Sequence, residues 1–149
     1  MGGAFWSLIV LFVYYEVDRW TPLGDWNGNY SWAAHNDQAV LDLVVGAALL
    51  LAIVSFKFEF KIGMVLATLA LAAWAFMHLQ SWWIPYYQGV YTSDSIAFHA
   101  QFLNHTQVWP KIDNHYPPDA EHSFIDLFLL VALVRSGVAT VMSFFGAES

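Results

Sequence analysis

Four stretches of the chain are apolar for long enough to be helices in a bilayer. The first runs from Gly3 to about Val17 and extends past Glu16 to Trp20; the second covers about Ala39 to Lys57; the third runs from Ile62 to about Ile84 without a charge; the fourth spans about Asp119 to Gly146, interrupted by Asp126 and Arg135. Each is too long and too continuously apolar for a barrel strand, and backbone groups in lipid must be satisfied within their own segment, so the pattern predicts helices. Residues 3 to 17 alone would cover roughly 22 Å, short of a hydrocarbon core of about 30 Å, which places the polar residues after Val17 at the interface.

Polar positions set the order of these spans. Spans two and three are separated only by KFEFK, residues 57 to 61, so they form an antiparallel hairpin. The other two links are long, about residues 18–38 and 85–118. They hold Trp20, Trp26, Trp32 and Trp109 and, counting Pro85 and Pro118, all five prolines. Loops so rich in aromatics are expected to fold down as a cap. The expected architecture is therefore all-α: a single-domain integral membrane four-helix bundle with two aromatic-rich outer loops. Lys57 and Lys61 crowd the short turn, whereas Arg19 and Lys111 are spread over the long loops. That density places the turn and both termini in the cytoplasm and the long loops outside. The opening MGGAFWSLIVLFVYY has no basic leader and no small-residue cleavage site, so it reads as a retained helix.

Composition agrees. The 149 residues are 58% hydrophobic and only 11% charged, whereas soluble domains carry about 25% charge. A net charge of −7 with five scattered Lys and Arg excludes a nucleic-acid surface. The lipid bilayer is the expected partner, with a homo-oligomer or a larger membrane complex as further possibilities. Without cysteine there is no disulfide, thiolate metal site or thiol redox chemistry.

The chemistry-bearing residues are one-sided. All six histidines (His35, His78, His99, His105, His115 and His122) and all acids but Glu59 and Glu148 fall at the outer face. PPDAEHSFIDLF opens the fourth span. There Asp119, His122 and Asp126 form a stripe at spacings of three and four, which can bind a divalent metal or relay a proton. Asp119 and Glu121 also suit the positive end of the helix dipole. Asp42 and His78 lie at the same depth on spans two and three. Two histidines and two carboxylates suit zinc, manganese or iron. The candidate ligands are thus His78, His122, Asp126, Asp42 and Asp119, with Glu16 or His115 able to complete the set. A b-type haem would use His78 and His122 as axial ligands, but no second histidine pair lies deeper to support it. The other loop histidines read as ordinary polar residues. Arg135, read as near the bilayer middle, must find carbonyls, an acid, water or the cytoplasmic interface.

HLQSWWIPYYQG followed by NHTQVWPKIDNHYPPDAEH resembles an uncharacterised group of small bacterial multi-pass membrane proteins with an H-x-x-x-W-W-x-P-Y and N-H-x-x-P-D-x-x-H pattern. The matching residues are His78, Trp82, Trp83, Pro85, Tyr86, Asn114, His115, Pro118, Asp119 and His122, across residues 78 to 122. The group has no established activity, so the resemblance implies a membrane fold and no reaction. The leading functional expectation is an outward-facing His/carboxylate site for a metal or another small ligand. A small transporter or proton-coupled channel component is the alternative from Asp126 and Arg135, and an accessory subunit or assembly factor the alternative from the aromatic cap. No residue pattern decides whether the protein is an enzyme.

Overall fold

A computed structural model describes residues 2–27, 32–89 and 91–145, with side chains of 32–38 left aside. Glu148 and the side chains of His35 and Asp37 lie outside what it describes. The order is α1 (Gly2–Trp20), a 3-10 turn (Gly24–Trp26), α2 (Trp32–Lys57), α3 (Lys61–His78), a π turn (Leu79–Trp83), α4 (Ile84–Gln88), α5 (Ser93–Ala100) and α6 (Ala120–Phe145). Among the described residues no strand forms; Gln107 and Asp119 make one isolated antiparallel bridge.

Three segments are long and apolar enough to cross a membrane: Ala39–Lys57, Lys61–Gln88 and Ala120–Phe145. The 19-residue α1 is apolar on most of its length but carries Glu16, Asp18 and Arg19 at its end. Helix α2 begins seven residues before the apolar run, at Trp32, which shortens the first long connection. The third run does not stop at Ile84. Pro85 has no N–H and its ring would clash with the carbonyl four residues back in a regular α-helix. The wider π turn at Leu79–Trp83 precedes it, so the chain continues helically to Gln88. Gly89, at φ 66°, then ends the helix, its N–H donating to the Pro85 carbonyl at 2.8 Å. Inside the second long connection, α5 starts on a capping box in which Thr92 and Ser95 bond each other's backbone N–H.

Helix α1 packs on α2 and α6, and α3 packs on the same two helices. Leu8, Leu11, Met64, Leu129 and Ala132 are fully buried between them. Small residues bring α3 and α6 together: Ser136 and Thr140 are buried, and Thr140 Oγ1 lies 3.0 Å from Thr68 Oγ1. Gly46 of α2 faces α1, where the carboxylate end of Glu16 lies in the space a Cβ would take. Large apolar side chains point away from the contacts, among them Val13, Leu43, Leu51, Leu69, Leu127 and Val138.

Candidate metal centre

The site is built where the second long connection enters α6. Pro118 and Asp119 precede the helix, and Asp119 serves as its N-cap: Oδ1 accepts the His122 backbone N–H at 2.9 Å. The same oxygen lies 2.7 Å from His122 Nδ1. The second oxygen, Oδ2, lies 2.8 Å from Nδ1 of His105. His105 is held there by its neighbour. The Thr106 N–H donates to the Asp25 carbonyl at 2.6 Å, and the Thr106 carbonyl accepts from Ala120 N–H at 2.8 Å. A backbone strap therefore joins the two long connections to the start of α6.

Glu121 completes the group. Oε2 is 3.6 Å from His105 Nδ1, and Oε1 is 2.8 Å from Arg19 Nη2 of α1. Asp119 is fully buried and Glu121 is 2% exposed. His105, Asp119 and Glu121 each offer one ligand atom, all within 4.8 Å of one another. Three of their buried atoms, His105 Nδ1, Asp119 Oδ2 and Glu121 Oε1, are close to charged neighbours but have no well-aligned hydrogen bond. Contact with Asp119 first, and with Glu121 second, favours the protonated His105 ring and pushes its pKa up to about 9, against the effect of burial. Burial alone would raise Asp119, but His105 and His122 outweigh it and hold the carboxyl well below the usual range.

The remaining candidates take other positions. His78 Nδ1 lies 2.6 Å from Asp126 Oδ1, and Trp83 Nε1 donates to Asp126 Oδ2 at 2.6 Å. The rings of His78 and His122 are 6.1 Å apart, and Trp82 lies 3.9 Å from the His122 ring. Asp42 accepts from Tyr15 Oη at 2.9 Å. Glu16 lies against Gly46. Among the described residues Arg135 Nη1 reaches the Gly3 carbonyl at 3.4 Å, beside the start of α1. Among the described residues the group that could hold a metal is therefore His105, Asp119 and Glu121, which contains Asp119 of the residues read from the sequence as candidate ligands.

The reason is local. Helical periodicity separates Asp119 and Glu121, which are only two apart, but Asp119 is a cap and does not obey it. The Pro117-Pro118-Asp119 sequence carries that signal. His105 follows no spacing rule, because loop strapping alone brings it to the helix start.

His115 has a structural post. Its Nδ1 lies 2.7 Å from the Tyr86 carbonyl, and its ring occupies the space that a side chain at Gly89 would need. Gly89→Ala should therefore lose about 1–2 kcal/mol from its left-handed backbone alone, and more from displacing the ring. Thermal unfolding in detergent checks this; a midpoint equal to wild type would refute it. His99 is buried, edge-on to Trp82 at 4.7 Å and stacked on Tyr116 at 5.9 Å, and burial lowers its pKa.

No known protein family, curated protein or solved structure matches the chain. One imidazole and two carboxylates suit a borderline or hard divalent ion, and three protein ligands leave positions open for water or substrate.

Proposed function

We propose that this chain is a multi-pass membrane protein that binds a divalent metal ion at its outer face through His105, Asp119 and Glu121. In this reading α1 is a fourth span, making a four-helix bundle, and the long connections form the outer cap. Lys57 and Lys61 mark the cytoplasmic turn. The observation that carries the metal assignment is the convergence of three buried ligand atoms within 4.8 Å. A metal ion bound at these atoms would replace the proton that His105 holds against Asp119. The surroundings fit a ligand shell: His122 orients Asp119, and Arg19 orients Glu121. Zinc, manganese and iron(II) all accept such donors.

Mass spectrometry of the protein after mild detergent extraction tests the reading. Wild type and His78→Ala should retain metal in equal amounts, whereas His105→Ala and Glu121→Gln should lose it. Equal metal in wild type and His105→Ala, or none in wild type after incubation with each of the three ions, would sink the assignment.

A further inference from the structure

Arg135 stands inside the apolar stretch of α6, exposed beside the exposed Val134 and Val138. A cation among acyl chains is costly unless an anion or water meets it. Among the described residues no carboxylate pairs with Arg135, and its Nη1 reaches only as far as the Gly3 carbonyl of α1, at 3.4 Å. A guanidinium carries five N–H donors in a planar fork, so one long bond to a carbonyl leaves donors for another partner.

The level of Arg135 decides which partner is within reach. Arg19 of α1 holds Glu121 of α6 at the metal end of the bundle, and Gly3 meets Arg135 at the other. From Arg19 to Gly3 the axis of α1 falls about 24 Å. With a hydrocarbon core of about 30 Å, Arg135 lies near the far boundary, within the length of its own side chain. Trp6, 62% exposed and one turn along α1, suits the same boundary, where indoles collect.

Other cations gather there. Lys57, the last residue of α2, places Nζ 5.3 Å from the Phe5 ring in the first turn of α1. Arg135 and Lys57 thus approach the start of α1 from α6 and from α2. Lys61 opens α3, its Nζ 5.3 Å from the Phe144 ring. Three of the five Lys and Arg therefore share this end with one described acid, Glu59. A field of that sign at a membrane boundary attracts anionic headgroups. Gly3 also keeps the fork open, because a Cβ there would stand 3.3 Å from Arg135 Nη1.

We infer that Arg135 and Lys57 form a site for the phosphate of an anionic phospholipid, in the leaflet opposite the metal centre. The phosphate takes donors of the Arg135 fork, Lys57 adds charge, and the acyl chains lie along the exposed Val134, Val138 and Val141 of α6. A zwitterionic head brings its own ammonium to the same place, which these cations disfavour. The site rests on the membrane reading, with α1 as a span, and is independent of the metal.

The test uses the whole protein in mild detergent. Phosphatidylglycerol and phosphatidylcholine with the same acyl chains are offered at equal concentration, and native mass spectrometry counts the lipid retained. Wild type should keep phosphatidylglycerol about tenfold over phosphatidylcholine. Arg135→Gln and Lys57→Gln should each cut that preference about fivefold. Arg135→Lys, which keeps the charge and loses the fork, should fall between wild type and Arg135→Gln. Lys111→Gln, in the second long connection, should leave the preference unchanged. Should Arg135→Gln lose helix content by circular dichroism, Arg135→Lys and Lys57→Gln carry the same comparison. No preference in wild type, or a preference that survives the two Gln substitutions combined, overturns the site. Displacement of the lipid by glycerol phosphate at equal concentration overturns the lipid in favour of a soluble phosphate. A dimer that Arg135→Gln abolishes overturns it in favour of an acid from a second copy of the chain.

Discussion

Asp119→Asn should lower metal affinity on the order of 100-fold or more while leaving the start of α6 intact. Replacing a group that merely orients a ligand already costs about 10–100-fold, and Asp119 is proposed as a ligand itself. The substitution is informative because Asp119 has two jobs. As N-cap it accepts the His122 N–H through Oδ1, and asparagine caps a helix about as well as aspartate. As ligand it offers Oδ2 beside His105, where the amide would present a neutral group or an N–H in place of an anion. Asn therefore removes the ligand and keeps the cap, whereas Asp119→Ala removes both. Titration calorimetry with zinc, manganese and iron(II), set beside helix content by circular dichroism, reads the two functions separately. Wild-type affinity in Asp119→Asn would exclude Asp119 as a ligand.

Asp126→Ala should produce the largest loss of stability of any variant considered, about 3–5 kcal/mol, without weakening metal binding per folded molecule. Both Asp126 oxygens are engaged at 2.6 Å, one with His78 of α3 and one with Trp83 of the π turn. The three side chains are all only part-exposed, and they tie α6 to the long third helix among apolar neighbours. Alanine leaves an indole N–H and an imidazole nitrogen without an acceptor, and each unmet buried group costs about 1–3 kcal/mol. Asp126→Leu combined with His78→Leu should recover much of the loss, because an apolar pair removes both polar groups together. Unfolding in mixed detergent micelles gives the double-mutant cycle. A single-variant loss below about 1 kcal/mol would show that lipid headgroups or water already satisfy these groups.

The helical class and the hairpin turn were legible because they depend on run length and on the shortness of the KFEFK link between Lys57 and Lys61. Helix α5 was not: it rests on a Thr92–Ser95 box, where the usual signature expects Glu or Gln at the second position. The extension past Pro85 was hidden for a similar reason, since proline usually marks a helix end and only the π turn lets the helix continue. Depth along the spans led to His78 and Asp126, which do meet. Depth says nothing about rotation, so it could not show that Asp42 turns to Tyr15. His105 and Glu121 were missed because a cap and a strapped loop, not a shared helix face, bring them to Asp119.

The strap at Thr106 also ties ion occupancy to the order of distant parts of the chain. Its backbone bonds Asp25 on one side and Ala120 on the other, next to a proposed ligand. An ion held by His105 would therefore clamp the first connection, the second connection and the head of α6 in one step. Binding and folding of this end of the molecule would then become a single linked equilibrium, worth about 2.7 kcal/mol at a free-ion concentration of about 100 times Kd. The firmness of that end would follow the metal supply of the compartment it meets.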